Sequence, residues 1–257
     1  MRNLKLTLEY EGTKYHGWQV QPGQVTIQQV VQEKLARILQ ETVVLVAAGR
    51  TDAGVHALEQ VANFYCSSAI PPHNLQKALN SLLPWDIAVT AVEEVPQEFS
   101  ARYWARSKVY VYRILNRSYP SPTWRRTSWF FPRPLDVPAM EKALPGLLGN
   151  HDFSAFRASG CTAKTVTRTM HRADLTRQGD MIEIRFEANA FLRYMVRNIV
   201  GTVVEIGIGK RPPENLAEVL AGRDRRKAGP TAPAYGLTME KVFLGPPERL
   251  HSSDDLI

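Results

Sequence analysis

Leu4, Leu6, Leu8 and Tyr10 alternate with Lys5, Thr7 and Glu9, so the chain opens with a strand that buries one face. The spacing then changes. Thr26 and Gln29 make a capping box, after which Ile27, Val30, Val31, Leu35, Ile38 and Leu39 mark one side of a helix. The continuous apolar run 43–48 predicts a buried strand, and 61–65 predicts a second. A helix over 75–83, ended near Pro84, and a strand over 87–92 complete the first half.

A second half opens at 107–115. There Tyr110, Tyr112 and Ile114 face one way, and Val109, Val111 and Leu115 the other. A helix is predicted over 138–148. Segments 167–176 and 181–188 form a hairpin around Gln178-Gly179-Asp180. A broadly apolar helix over 190–206, a short helix over 216–220 and a last strand over 239–244 follow. Periodicity alone gives an α+β protein. The two halves have a similar order of elements but no repeat at the level of residues. We divide them into an α/β subdomain over 1–105, a second over 106–247, and a polar tail over 248–257 that includes Ser252-Ser253-Asp254-Asp255.

Composition narrows the partners. The 257 residues hold 32 Lys and Arg against 25 Asp and Glu, a net charge of +7, which suits a polyanion, though many basic proteins share it. The distribution says more. From Phe99 to Leu135 there is no acidic residue, while Arg102, Arg106, Lys108, Arg113, Arg117, Arg125, Arg126 and Arg133 interleave with ten aromatics. Arginines grip phosphates bidentately and aromatic rings stack on unpaired bases. That mixture fits RNA better than a membrane, with most of the aromatics left to the core. Two cysteines, Cys66 and Cys161, lie far apart in no metal-like spacing. There is no signal-peptide pattern and no membrane-spanning apolar run, so a soluble cytoplasmic protein is expected.

The residues with the most chemical content are Gly49-Arg50-Thr51-Asp52-Ala53-Gly54-Val55-His56-Ala57, a loop between two predicted strands. Glycines allow tight turns and close approach of a ligand, and loops on rigid scaffolds often carry catalysis. Chemistry alone leaves a plainer reading open: Asp52 bonding its own backbone in a turn, with Arg50 a solvated charge. This segment resembles the active-site signature of the TruA family of tRNA pseudouridine synthases. So do Leu8 to Gln19, Phe99-Ser100-Ala101-Arg102-Tyr103, Lys108 to Arg113, His151 to Phe156, and Phe191 to Gly201, in the family's order from Leu4 to about Leu244.

The resemblance implies a pseudouridine synthase fold: two similar α/β subdomains share a largely antiparallel sheet, with the active-site cleft between them. It implies an isomerase that converts uridine to pseudouridine at positions 38, 39 and 40 of the tRNA anticodon stem-loop. No cofactor or metal is implied, and the protein is expected to be a homodimer. Asp52 becomes the catalytic nucleophile, or the base on a glycal-type route. A pocket that excludes water would raise its pKa, so a cation is needed nearby. Arg193 and Arg197 stand four apart on the predicted 190–206 helix, on the side of Ala190 and Gly201, where small residues leave room for another element. An arginine on a mostly buried helix requires a partner. The resemblance puts an arginine in the Arg197 context beside the aspartate; a plainer reading has both arginines binding phosphate or capping nearby carbonyls, and we take Arg197 for the aspartate and Arg193 for phosphate or structure.

Tyr110 matches the family's active-site tyrosine, although the strand pattern alone fits a core residue. Its ring would hold the uracil and its hydroxyl would relay the C5 proton. Arg50 is expected to fill the space of the extracted base or to grip its phosphate. Arg102, and then Lys164 and Arg168 in the acid-free stretch 153–173, are further tRNA contacts. The run Arg223-Asp224-Arg225-Arg226-Lys227 fits a solvated loop better than a docking site. His56 has no third ligand at metal spacing. Two other readings differ in class. One is an RNA-binding protein that has lost catalysis, disfavoured because Asp52, Tyr110 and Arg197 are all present. The other is a metal-dependent RNA hydrolase, which lacks a ligand cluster.

Overall fold

A computed structural model describes residues 1–161 and 163–246. The polar tail assigned to 248–257 lies outside the described residues. In chain order the elements are β1 (Arg2–Tyr10), α1 (Ile27–Leu39), β2 (Val46–Ala47), β3 (His56–Cys66), α2 (Pro72–Leu82), β4 (Ile87–Val95) and α3 (Ala101–Trp104). They continue with β5 (Ala105–Leu115), β6 (Trp129–Phe130), α4 (Val137–Ala143), β7 (Gly149–Asp152), β8 (Thr167–Gln178), β9 (Met181–Ala188), α5 (Met195–Gly207), α6 (Asn215–Gly222) and β10 (Leu237–Leu244). Short 3-10 turns link several of them.

The strands form one sheet in the order β4-β1-β3-β10-β5-β9-β8-β7, with β2 on β3 and β6 on β5. Pairing is antiparallel except at β3–β10 and β5–β6. The last strand returns to the middle. β10 pairs antiparallel with β5 along its length, and Thr238 and Met239 pair in parallel with His56 and Ala57 at the start of β3. That short parallel contact joins the sheet of the first half to that of the second. The fold is therefore a mixed α/β protein built on a largely antiparallel sheet, as expected.

The alternation of β1 is kept: Leu4, Leu6, Leu8 and Tyr10 are all buried. β5 is buried on both faces. Tyr112 and Ile114 are enclosed on one side, and Val111 on the other.

Several expected elements are corrected. The 43–48 run is strand only at Val46–Ala47, which pair with Asn63 and Ala62; beyond them a single backbone bond, from the Ala48 N–H to the Val61 carbonyl at 2.8 Å, reaches β3 before the chain turns away. The helix expected over 138–148 is α-helical only to Ala143 and tightens to a 3-10 turn over Leu144–Leu147, where Pro145 cannot supply an N–H. The capping box is half made. Thr26 Oγ1 accepts from the Gln29 N–H, but the Gln29 side chain donates to Glu33 instead of reaching back. The helix expected over 190–206 begins at Met195, so Arg193 lies before it and does not share a helical face with Arg197. The side of Gly201 does admit another element: a Cβ there would stand 1.7 Å from the Pro230 carbonyl oxygen.

Candidate active site

Asp52 sits where the two halves of the sheet meet, four residues ahead of β3. Its loop is anchored on both sides. Trp18 N–H donates to the Thr51 carbonyl at 3.1 Å, Gly54 N–H to Tyr15 at 3.2 Å, and Val55 N–H to the Asp52 carbonyl at 3.1 Å. Gly17 permits this approach: its φ is +84°, and a Cβ would stand 2.5 Å from the Thr51 carbonyl oxygen. The Tyr10 hydroxyl, at the end of β1, meets Thr51 Oγ1 at 2.8 Å. The loop is thus held by the strand and turn that resemble the family's N-terminal motif.

Arg197, in the first turn of α5, is held from behind. Its Nε donates to the Ala232 carbonyl at 2.7 Å, and the Ala232 N–H returns a bond to the Arg197 carbonyl at 3.1 Å. Its Nη1 stands 3.9 Å from Asp52 Oδ2. Arg225 fixes the segment carrying that carbonyl, donating to Gly229, Asn198 Oδ1 and Thr231 Oγ1. The 223–227 run is therefore not uniformly solvated: Arg225 turns inward, while Arg223 and Arg226 stay outside.

Tyr194 caps α5 in the left-handed region, with φ 63°. A non-glycine residue there carries a strain of about 1 kcal/mol or more and is retained where surroundings impose it. Its backbone N–H helps to hold the Asp52 pKa down, and the positive end of the helix acts in the same sense. Its ring lies beneath both guanidinia, 4.7 Å from Arg197 Cζ and 5.0 Å from Arg193 Cζ.

Burial pushes the Asp52 carboxyl above the ordinary aspartate range, against the weaker pull of Arg197, Arg193 and the Tyr194 N–H. Tyr110 projects from β5 into the same cleft and stacks edge-on against Phe191, centroids 4.9 Å apart. Burial holds its hydroxyl protonated far above the usual tyrosine range, and the neighbouring Tyr10 and Asp52 reinforce this. Among the described residues that hydroxyl has no hydrogen-bond partner. Aspartate, tyrosine and arginine are thus brought together from a loop, a strand and a helix far apart in sequence.

The expected RNA contacts divide. Arg50 is exposed and makes no ion pair among the described residues. Arg102 is exposed beside the Tyr103 ring, at 5.6 Å. Arg193 and Lys164 are exposed, whereas Arg168 is buried. Of the aromatics in 99–135, Phe99, Tyr110, Tyr112 and Phe131 are core, while Tyr103, Tyr119 and Trp124 remain outside.

His56 is accounted for structurally. Nδ1 accepts from the Gly12 N–H at 2.9 Å and Nε2 meets the Tyr235 carbonyl at 3.1 Å, which selects the neutral ring. Burial lowers its pKa accordingly. Among the described residues no three His, Cys, Asp or Glu side chains gather at metal distance. No helix among them is long and apolar enough to cross a membrane. Sequence reasoning passed over the capping role of Tyr194, and it counted Lys108, a buried lysine on the face of Tyr110, only among the basic residues of its stretch, with no place in the site.

A half-buried aspartate facing a tyrosine and an arginine, where two halves of a largely antiparallel sheet meet, is the arrangement expected of a pseudouridine synthase. The tRNA pseudouridine synthase family model matches residues 7–104 and 143–243. The chain is 50% identical over 252 residues to tRNA pseudouridine synthase A of Myxococcus xanthus, covering 97% of this chain and 95% of that one. It is 46% identical over 243 residues to tRNA pseudouridine synthase A of Thermoanaerobacter sp. (strain X514), covering 95% and 100%. Tyr110 lies between the two matched segments, and Asp52 and Arg197 lie within them. The chain belongs to the tRNA pseudouridine synthase family, and is an isomerase that acts on tRNA.

Proposed function

We propose that the protein converts uridine to pseudouridine at positions 38, 39 and 40 of the tRNA anticodon stem-loop, with Asp52 essential and no cofactor. The reaction is redox-neutral. The bond from ribose C1′ to uracil N1 breaks, the base turns, C1′ bonds to C5, and the C5 proton leaves while N1 gains one. Asp52 starts it, either by attacking C1′ or by taking the C2′ proton so that a glycal forms. Both routes need the ionised carboxylate that Arg197, Arg193 and the Tyr194 N–H favour against burial.

Tyr110 supports the base with its ring and relays the C5 proton through its hydroxyl. Arg50, exposed two residues from Asp52, takes the place of the extracted base or its phosphate. Arg102, Arg193, Lys164 and Arg168 serve as further contacts to tRNA. We place the enzyme in the cytoplasm as a homodimer. The observation that carries this reading is the carboxylate at the seam of the sheet, with the guanidinium 3.9 Å away.

The test is release of tritium from tRNA labelled at uracil C5, without metal or nucleotide, by the wild type and by Asp52→Asn, with the modified positions mapped afterwards. Release by the wild type alone, with pseudouridine at the three positions, supports the whole reading. Release by both proteins removes Asp52 from the centre. Tight tRNA binding without any release leaves an RNA-binding protein.

A further inference from the structure

Two cations on the sheet face of Tyr110 have no carboxylate partner among the described residues. Lys108 precedes Tyr110 by two residues on β5, so both side chains leave the same face of the sheet. Its stem passes under the catalytic loop: a Cβ on Gly49 would stand 2.9 Å from Lys108 Cε. In the sheet register Lys108 pairs with Ala188 on β9, and Ala188 with Met170 on β8. Arg168 lies two residues before Met170 and so projects from that same face. Its positive charge acts directly on Lys108.

Both side chains are 8% exposed. Neither forms an ion pair among the described residues; the acidic group that bears on Arg168 is the thiol of Cys161. Arg168 donates through Nη1 to Thr165 Oγ1 at 3.1 Å and to the Thr167 carbonyl at 2.6 Å, while its buried Nε has no acceptor among the described residues. Burial, and then the charge of Arg168, bring the Lys108 ammonium down to about 8. Two buried like charges with an idle donor are costly in the free protein, because each has lost water and gained no counter-charge. An anion seated between them removes that cost. A backbone phosphate diester is the anion that RNA brings to this place, one residue from Arg50.

We propose that Lys108 and Arg168 form a seat for a single internucleotide phosphate beside the target nucleotide. The inference rests on the reading of this cleft as an RNA site. Lys108 is then a binding and positioning residue that acts on the path of the strand, apart from the bond-breaking at Asp52.

The seat is tested by measuring affinity for an unmodified tRNA transcript across a range of salt concentrations, together with the melting temperature of the free protein. The proteins are the wild type, Lys108→Met, Lys108→Arg and Arg168→Gln. The expected outcome is that Lys108→Met binds about tenfold more weakly and its salt slope falls by about one, as for one lost phosphate contact. Lys108→Arg keeps the slope. The free protein melts no lower in Lys108→Met, because an unpaired buried charge has been removed. Arg168→Gln gives a second reading of the slope should Lys108→Met not fold.

A lower melting temperature with an unchanged slope makes the pair structural and overturns the proposal. So does stabilisation of the wild type by inorganic phosphate with tRNA affinity unaltered in every variant, which marks a free-phosphate site. Binding needs no turnover, so the two readings fail separately. A slope that falls without tritium release from the wild type keeps the seat and removes the isomerase. Release with an untouched slope does the reverse.

Discussion

On the face of β5 turned away from Tyr110, Arg113 meets Glu183 at 2.8 Å, and Arg185 joins Glu183 at 2.7 Å to Glu240 at 3.2 Å. On the cleft side Arg197 stops 3.9 Å from Asp52, and Lys108 and Arg168 find no carboxylate among the described residues. Both regions put arginines on or beside the same strand. In the first each charge is neutralised by a neighbour, and the Glu183 carboxyl is held below the ordinary glutamate range, its burial outweighed by Arg113 and Arg185. In the second burial prevails, so the Asp52 carboxyl is raised and the Lys108 ammonium lowered. Charges that serve the fold are matched inside it. On the proposed function, the charges that serve the reaction are the ones left for a substrate to complete, at a cost to the free protein.

That contrast breaks most sharply at Asp52. Asp52→Asn is expected to abolish tritium release, by at least about 10³-fold, as for loss of a nucleophile or essential base. The fold should not suffer. The folded protein holds the Asp52 proton more tightly than the unfolded chain does. Asp52 therefore favours folding fully below its unfolded pKa, and loses that contribution as pH rises through its folded pKa. The amide removes this liability, so the melting temperature at pH 7 is held or raised. A large fall in melting temperature would place Asp52 with the matched charges instead.

Tyr110→Phe comes next. It keeps the ring against Phe191 and removes a hydroxyl with no partner among the described residues, so stability and tRNA affinity stay close to wild type. Release is expected to slow by about 10²-fold if the hydroxyl relays the C5 proton. Single-turnover kinetics separate this from weakened binding; an unchanged rate limits Tyr110 to support of the base.

How far the sequence carries this picture depends on distance along the chain. Asp52 and Tyr110 stand in local patterns, a loop after an apolar run and an alternating strand, so their elements are legible. The cost of an arginine on an apolar helix says only that Arg197 needs a partner; that the partner is Asp52 comes from the resemblance. The start of that helix does not follow, because Ala190-Phe191-Leu192-Arg193 are acceptable helix residues. The boundary is set by Tyr194 in the left-handed region, aimed at an aspartate far away in sequence. The insertion of β10 between β3 and β5 has no local signature either, since Thr238 pairs with His56 across the length of the chain. Lys108 marks the division most clearly. Its place on the face of Tyr110 can be read from alternation, but its burial under Gly49 appears only when the halves close.

Arg197→Met sharpens the comparison through pH. On the proposed mechanism activity requires ionised Asp52, so kcat/KM is expected to fall as pH is lowered through the Asp52 pKa, which lies above the ordinary aspartate range. Arg197 is the largest influence pulling that pKa down, so its removal moves the acid limb to higher pH and lowers the rate at neutral pH by about tenfold. An acid limb that does not move would mean the guanidinium serves the substrate and not the aspartate.

The smallest effect is expected on the matched face. Glu183→Gln leaves Arg113 and Arg185 without a shared carboxylate, but Arg185 keeps Glu240 and both side chains retain some water. The loss of stability should be about 1 kcal/mol, and tritium release should not change. Its pH dependence carries the information. Glu183 has a folded pKa below its unfolded value, so its contribution is present above the ordinary glutamate pKa and disappears as pH falls through the lower folded value. Denaturant melts of wild type and Glu183→Gln should therefore differ at pH 7 and converge toward pH 3. Asp52→Asn should behave in the opposite sense, matching wild type in acid and gaining on it toward neutrality. If the two difference curves ran in the same direction, the division of this sheet into a matched face and a face awaiting substrate would be wrong.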